Sequence, residues 1–493
     1  MAPLSPLTYR RIQESRRELQ AASRTGKRED KMAKERPKPF LIEEYCKGCG
    51  RCIDVCAKHC ITPGTEINPL TGLVPIHLTL DQCNGCQLCI SACPEPYGLR
   101  PIPEGITPEN WELEDPAKLF GDKGTTAAKA VDIPDQIIPL PKMEPLVIKG
   151  NYASTVGALL AGCRHFFGYP ITPSTEGAEL MAKLLPKLDG VFLQAVSEVA
   201  TVNMMYGAGG AGMRSMTFTS SPGFSLMLEG ISYMIGAELP GVFVNVMRGG
   251  PGLGNIGPEQ SDLKLACRGL GHGNTQAICL TPSTPQEMLD LTMLAFELSF
   301  KYRNPVMILA DGYLGQMTGR VTLPDAMVQP GIPSWAVYGD APHRRNVNTS
   351  IYLTESDLEA HNHRLNEKYE RMTLNEQRAD LFWCDDADVL LVACNTPARM
   401  AKGAVEALRG EGIRAGLFRP ITVWPFPIDL LRAPVRRAKR IVVVEASNGQ
   451  LEDEMRLALS RAGIRDHAEI ESVHRMGGIL PQLDEIVTKV RQA

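Results

Sequence analysis

The sequence predicts an α/β protein: two doubly wound units with parallel sheets, preceded by a small α+β module rich in cysteine. Three observations carry that expectation. Short apolar strands alternate with apolar-periodic helices between residues 144 and 322, the pattern of strand–helix–strand units. A second alternation of the same kind begins at Ala387 and runs on towards the C-terminus. Ahead of both, nine of the fourteen cysteines crowd into residues 40–102. A chain of 493 residues with 44% apolar content can bury several separate cores.

Taken in order, residues 1–39 form a charged tail bearing Arg10, Arg11, Arg16, Arg17, Lys27, Arg28, Lys31 and Lys34. Such a run reads as a solvated helix, a disordered tail or a docking arm for an acidic partner subunit. Residues 40–102 form the cysteine module, whose two halves repeat one plan. Residues 103–143, with Pro108, Pro116, Pro134, Pro139 and Pro141, read as a linker lying along the surface of the next unit. Within 144–322 the pattern predicts a helix from about Ala153 to Phe166, the strand Phe192–Gln194 and a helix through Glu198–Gly207. The strand Ser215–Thr219, a helix through Leu226–Met234 and the strand Gly241–Met247 follow. Next come the strands Gln276–Leu280 and Val306–Ala310, with the helix Thr284–Tyr302 between them. Residues 323–386 are a connecting segment, irregular at first and then helical over Glu355–Arg371. Residues 387–493 carry the strand Val389–Cys394, a helix from Pro397 to Leu408, and the strands Ile413–Phe418 and Arg440–Val444. Loops at the carboxyl ends of such strands gather at one crevice, where these folds bind ligands.

The cysteine runs are Cys46, Cys49, Cys52, Cys56 and Cys83, Cys86, Cys89, Cys93, the second followed by Pro94. Each reads C-x₂-C-x₂-C-x₃-C, the spacing that wraps thiolates around a [4Fe–4S] cube. In bacterial-type two-cluster ferredoxins the fourth cysteine of each run ligates the other cube. Cys46, Cys49, Cys52 and Cys93 would then hold one cluster, and Cys83, Cys86, Cys89 and Cys56 the second. Zinc prefers paired C-x₂-C knuckles with a longer gap between them, so a zinc ribbon fits less well. Ala57 stands where the motif usually has proline, a position that shapes the turn and supplies no ligand. Cys60 is an extra cysteine that reads as a packed thiol.

The net charge of −4 gives no whole-chain reason to expect nucleic acid or an acidic membrane. The first 38 residues contain no apolar core of a secretion signal. The most apolar stretch, Met227 to Met247, contains Glu229, Glu238 and Pro240, so it reads as a buried helix and strand. Cysteines committed to clusters, without a secretion signal, place the protein in a reducing cytoplasm.

Three loops follow expected strands in the first α/β unit: Tyr169–Ser174, Ser220–Phe224 and Arg248–Gly254. Their glycines and prolines let backbone N–H groups approach a ligand closely. Gly207-Ala208-Gly209-Gly210-Ala211-Gly212 looks like a dinucleotide loop, but it follows a helix instead of a strand, and close helix packing explains it better. The wording of residues 197–212 (SEVATVNMMYGAGGAG), 217–262 (TFTSSPGF to GPEQSD) and 419–454 (RPITVWPFP to EASNGQLEDE) resembles the α-subunit of the 2-oxoacid:ferredoxin oxidoreductases. It is nearest the branched-chain (3-methyl-2-oxobutanoate) and 2-oxoglutarate subfamilies, and it covers residues 144 to the C-terminus. A ferredoxin-like domain fused in front departs from most relatives, where it is expected as a separate small subunit.

The resemblance implies a thiamine-diphosphate-binding-type doubly wound sheet in 144–322 and a transketolase C-terminal-like α/β domain in 387–493. It implies oxidative decarboxylation of a 2-oxoacid to acyl-CoA and CO₂, with electrons passing through [4Fe–4S] clusters to soluble ferredoxin. Glu198 matches the family glutamate that hydrogen-bonds the thiamine pyrimidine N1′; the flanking Val196, Val199 and Ala200 favour its burial. Arg248 matches the arginine that grips the substrate carboxylate, a task suited to a planar guanidinium. An ordinary strand-end salt bridge is the plainer alternative. Thr172 matches a threonine over the thiazolium and the substrate oxygen, with a helix N-cap as its plainer role. Asn448-Gly449-Gln450-Leu451 would serve inter-subunit packing and shape the cleft mouth. His272 lies near the substrate loops by sequence logic, or is simply a structural histidine.

No Gly-Asp-Gly occurs, the nearest texts being Ala310-Asp311-Gly312 and Gly121-Asp122-Lys123. The diphosphate and Mg²⁺ would therefore be bound mainly by another polypeptide, the family's β-subunit, with a γ-subunit also expected. Phe224, Leu253 and Ile256 lean towards a branched or aromatic 2-oxoacid, leaving phenylglyoxylate open beside 2-oxoglutarate and 3-methyl-2-oxobutanoate. The rival reading from another class is a non-catalytic electron-transfer scaffold.

Overall fold

The structure is a computed structural model that describes residues 36–68, 72–95, 98–101, 130–340, 342–343 and 346–492. The charged tail up to residue 35 and the linker from 103 to 129 lie outside them. The chain divides into two compact units, Met1–Thr126 and Ala127–Ala493.

The smaller unit is built on a repeat. Strand Pro39–Leu41 pairs antiparallel with Leu99–Pro101, and Ile61–Pro63 pairs antiparallel with Ile76–Leu78. Two short helices, Arg51–Asp54 and Leu88–Ala92, each carry the third cysteine of a run, Cys52 or Cys89. The turns inside the runs need left-handed backbone: Gly48 has φ +63° and Gly85 φ +65°. Added Cβ atoms there would meet Val74 O at 2.2 Å and Arg36 O at 2.6 Å. So small an apolar core (Ile61, Ile76 and Leu99 with Cys52, Cys60 and Cys89) suits a unit whose interior is filled by inorganic clusters.

The larger unit holds a seven-stranded sheet ordered Thr422–Trp424, Ile278–Leu280, Pro305–Asp311, Gly241–Met247, Ser215–Thr219, His165–Gly168, Val191–Gln194. All neighbours are parallel except the first pair. Gly241–Met247 and Pro305–Asp311 are buried along their whole lengths, as strands covered on both faces must be. The two strands Ser215–Thr219 and Gly241–Met247 lie on the residues expected. The helix expected from Ala153 to Phe166 instead runs Gly150–Leu160, turns at Gly162 (φ +86°), and gives way to the strand His165–Gly168. Phe166 is fully buried there, stacked on Phe192 at 5.3 Å, a burial that contributes about 1.5–3 kcal/mol. In the glycine run, Gly209 packs where a Cβ would stand 2.6 Å from Pro240 O, and Gly212 has φ +72°. Gly207 meets no such demand.

A five-stranded sheet follows, ordered Ala379–Phe382, Ala415–Pro420, Val389–Val392, Arg440–Glu445, Ile470–His474, with only the first strand antiparallel. Two ribbons also form: Leu146–Lys149 with Thr318–Val321, and Gln136–Pro139 with Ala326–Gln329. The end of the expected linker is thus a strand paired to the expected connecting segment. The helix Met227 to Met247 was expected to contribute, Ser221–Gly236, is followed by the strand Gly241–Met247, and no described helix is long and apolar enough to cross a membrane.

Candidate active site and cluster cavities

In the seven-stranded sheet, the first strand of the chain, His165–Gly168, lies between the second, Val191–Gln194, and the third, Ser215–Thr219. The order reverses there, and open α/β sheets bind ligands outside the carboxyl ends of strands at such a switch point. Thr172 follows the first strand, Glu198 the second, Ser221 and Gly223 the third, and Arg248 the fourth.

These residues meet. Arg248 Nη1 donates to Thr172 O at 2.8 Å and Nη2 to Leu253 O at 3.1 Å. The Arg248 backbone N–H donates to Ser221 Oγ at 3.0 Å. Two residues beyond Ser221, a Cβ on Gly223 would stand 2.4 Å from Glu198 Oε1. Glu198 opens the helix Glu198–Gly210, capped by Ser197, whose Oγ accepts the Ala200 N–H at 3.2 Å. It is 4% exposed, and among the described residues nothing donates to its carboxylate. No described carboxylate pairs with Arg248, whose Nε is buried without a partner. The switch point therefore gathers a guanidinium with no carboxylate partner and a buried carboxylate on neighbouring loops, a polar arrangement suited to a ligand that is itself charged.

Thr172 is exposed and does not cap the helix Thr175–Leu184, whose N-cap is Ser174. Its loop is held from the other side through Pro173 O, which accepts Asn151 Nδ2 at 2.8 Å and Gln316 Nε2 at 3.1 Å. Glu176 joins this cluster, accepting Gln316 Nε2 at 2.8 Å and Lys149 Nζ at 3.3 Å. Phe224 is fully buried in the core, whereas Leu253 and Ile256 are exposed. His272 lies away from the substrate loops, lining a cleft with Tyr206, Ser232, Tyr233 and Leu365.

Asp311, in the text nearest Gly-Asp-Gly, has its carboxylate taken up internally. Oδ1 accepts the N–H of Tyr313 and Leu314 and the Thr396 hydroxyl, and Oδ2 accepts the Thr396 N–H. Asp311 thus joins the two sheets, as does Gln260, which exchanges hydrogen bonds with Ala446 and donates to Cys394 O. Asn448-Gly449 precedes the helix Gln450–Arg461, and Glu445 caps it by accepting the Leu451 N–H at 2.9 Å.

In the smaller unit the cysteines line two cavities. One is lined by Cys46, Cys49, Cys52 and Cys93, the other by Cys56, Cys83, Cys86 and Cys89 with Cys60 beside them. Each cavity thus takes three sulfurs from one run and the fourth from the other. Backbone N–H groups already point at ligand sulfurs: Ile76 N–H at Cys46 Sγ (3.4 Å) and Cys60 N–H at Cys56 Sγ (3.3 Å). Burial pushes the Cys52 thiol up to about 11; iron binds the thiolate and so offsets that cost. Four soft thiolates converging on one cavity, twice over, fit [4Fe–4S] cubes.

Comparison with known proteins agrees with this geometry. Residues 45–96 match the 4Fe-4S dicluster domain. Residues 156–396 match the thiamine-diphosphate-binding domain of pyruvate flavodoxin/ferredoxin oxidoreductases, and 387–486 match core domain II of pyruvate:ferredoxin oxidoreductase. A ketoisovalerate oxidoreductase subunit VorB from Methanothermobacter thermautotrophicus is 47% identical over 352 residues, 71% of this chain and 98% of the relative. The chain belongs to the 2-oxoacid:ferredoxin oxidoreductase α-subunits. A second member of the family, the 2-oxoglutarate synthase subunit KorA of the same organism, is 37% identical over 379 residues, 70% of this chain and 98% of that one. The solved 2-oxoglutarate:ferredoxin oxidoreductase from Magnetococcus marinus, with 2-oxoglutarate, coenzyme A and succinyl-CoA bound, superposes with a TM-score of 0.63 at 28% identity. That match covers 71% of this chain and 65% of the Magnetococcus chain. Our α-subunit carries its dicluster domain at residues 45–96, ahead of the part that matches the thiamine-binding domain.

Sequence reading singled out the loop of Ser221 and Gly223 but missed the contact that Gly223 makes with Glu198. Gly223 stood in a loop that was singled out, but its importance comes from Glu198, twenty-five residues earlier, and no local pattern announces that contact.

Proposed function

We propose that the chain is the α-subunit of a coenzyme A-acylating 2-oxoacid:ferredoxin oxidoreductase acting on a branched-chain 2-oxoacid, with 3-methyl-2-oxobutanoate as substrate. The observation that carries this is the gathering at the switch point of Arg248, which has no carboxylate partner, and the buried Glu198, on loops joined through Ser221 and Gly223. Bound thiamine diphosphate supplies the carbon nucleophile and electron sink that decarboxylation of a 2-oxoacid requires. Glu198 would accept a hydrogen bond from the cofactor's pyrimidine ring nitrogen, and that bond would favour the tautomer able to take up a proton. Arg248 offers its guanidinium to the substrate carboxylate, and Thr172 sits on the loop whose carbonyl Arg248 already holds. The eight cysteines of the two cavities hold the clusters that carry electrons to soluble ferredoxin.

The substrate assignment is supported by the higher identity to the ketoisovalerate subunit than to the 2-oxoglutarate subunit. The diphosphate and Mg²⁺ fall to a β-subunit, since no Gly-Asp-Gly occurs and Asp311 is engaged within the chain. Around Glu198 and Arg248 the rim is apolar and open: Val196 is 88% exposed, Leu253 83% and Ile256 62%. Such a rim on a polar site fits a surface completed by another polypeptide. A γ-subunit and a cytoplasmic location belong to the same reading.

The test uses the complex purified anaerobically from its native host. Coenzyme A-dependent viologen reduction is followed with 3-methyl-2-oxobutanoate, 2-oxoglutarate, phenylglyoxylate and pyruvate side by side. The highest kcat/KM is expected with 3-methyl-2-oxobutanoate. A preference for 2-oxoglutarate or phenylglyoxylate overturns the substrate. No reduction with any of them, from a complex replete in clusters, leaves the electron-transfer scaffold.

A further inference from the structure

We infer that Glu259 is a positioning residue for Arg248, acting by tying the Arg248 loop to the segment that follows strand Ile470–His474. The inference rests on the reading of Arg248 as the cation for the substrate carboxylate. Glu259 is 5% exposed. One of its oxygens, Oε2, accepts the Gly250 N–H at 3.2 Å and the Gly477 N–H at 3.0 Å. The other accepts the Ser261 hydroxyl. A single carboxylate atom therefore joins the loop after the fourth strand of the large sheet to the loop after the last strand of the small one.

Asn255 repeats the bridge beside it. Its Nδ2 donates to Gly477 O at 2.8 Å, while its Oδ1 accepts the Gly257 N–H at 2.8 Å. The two backbones run so close that side chains are shut out. A Cβ on Gly257 would stand 2.7 Å from Gly478 Cα, and one on Gly478 2.7 Å from Asn255 Oδ1. The rest of the loop has little to hold it: Pro251, Gly252, Leu253 and Gly254 are exposed. Its own backbone bonds are Gly249 N–H to Gly257 O (2.9 Å) and Asn255 N–H to Gly249 O (3.0 Å).

Arg248 depends on this loop directly, because Leu253 O accepts one of its guanidinium N–H groups. A carboxylate held by backbone donors forms bonds about twice as strong as neutral ones, and it anchors the loop at Gly250, two residues past Arg248. The segment 475–478 is thereby fastened to the loop that carries Arg248, so the small sheet helps to hold that loop in place.

The experiment uses the assembled complex with Glu259→Ala, Glu259→Gln and Arg248→Ala. Glutamine keeps one amide oxygen able to accept both N–H groups, so it is the conservative rescue. We expect Glu259→Ala to raise the KM for the 2-oxoacid by at least about tenfold while the KM for coenzyme A and the cluster spectra stay put; Glu259→Gln should remain within about threefold of wild type. Backbone hydrogen exchange should quicken at Gly250 and Gly477 together in the alanine variant and not in the glutamine variant. An unchanged 2-oxoacid KM in Glu259→Ala, or a coenzyme A KM that rises with it, or a loss of cluster content, overturns the inference. If Arg248→Ala itself leaves the 2-oxoacid KM unchanged, the Arg248 reading fails instead, and the paired exchange at Gly250 and Gly477 still reports whether Glu259 ties the loops.

Discussion

Glu198 and Gly223 share a space that admits only one side chain: a Cβ on Gly223 would stand 2.4 Å from Glu198 Oε1 and 2.4 Å from Thr219 Oγ1. The carboxylate therefore lies against bare backbone in the first turn of the helix Ser221–Gly236. A helix start presents backbone N–H groups and partial positive charge on the side the carboxylate faces.

Gly223→Ala should push this carboxylate out of place without touching it chemically. Turnover of the complex is expected to fall about a hundredfold or more, the usual worth of a positioned proton-transfer group. Glu198→Ala should fall at least as far, with cluster content unchanged in both. Wild-type turnover in Glu198→Ala would remove the carboxylate from the chemistry.

Arg248→Ala should weaken the 2-oxoacid by about 1.5–3 kcal/mol, the range for a hydrogen bond to a charged group. The loss should appear in the 2-oxoacid KM with coenzyme A unaffected. Lysine should recover only part of it, because a point charge does not reproduce the planar fork that also holds Thr172 O and Leu253 O. Full recovery with lysine would reduce the role of Arg248 to bulk charge.

The crossed cavities make a spectroscopic prediction. Cys93→Ser should disturb the same cluster signal as Cys49→Ser, although the two residues belong to different runs. Cys56→Ser should disturb the same signal as Cys86→Ser. Electron paramagnetic resonance of the reduced protein reads both, and signals sorting by run instead of by cavity would refute the pairing.

His474 carries a pH signature. Its Nε2 lies 3.2 Å from Glu445 Oε1 and 3.4 Å from Glu452 Oε2, and the Glu445 carboxylate, with Glu452 behind it, raises its pKa above the ordinary value. A raised histidine stabilises the fold fully below its unfolded pKa of about 6.5, and that contribution fades as pH climbs through the folded value. Thermal stability of the larger unit should therefore drop on going from about pH 6 upwards. His474→Gln should flatten that slope, and an unchanged slope would exclude the residue as its source.

How far the sequence could be read depends on where each signal is stored. Ser215–Thr219 and Gly241–Met247 were legible to the residue because glycine, serine or proline brackets a short apolar run. His165–Gly168 was not, since Phe166 and Phe167 continue the apolar rhythm of the helix before them and only Gly162 breaks it. Burial of Glu198 was expected, but from the wrong neighbours. Val196 is 88% exposed and Val199 45%, and the cover comes from Gly223 across the sheet. Phe224 was read as a pocket residue because it sits in a site loop, yet it opens inward to the core at 0% exposure. The cysteine cavities were the most legible feature, since ligand spacing is a local property of the chain.

The strand Thr422–Trp424 completes the edge of a sheet whose other six strands all lie before residue 312. Its Cys279–Trp424 and Leu280–Thr422 pairs sew the two halves of the larger unit into one fabric. A chimera that exchanges everything after Ala387 with a relative would import a foreign hem for Ile278–Leu280. The two sheets of the larger unit are thus one folding inheritance, and an exchange at that point breaks an edge that neither half supplies alone.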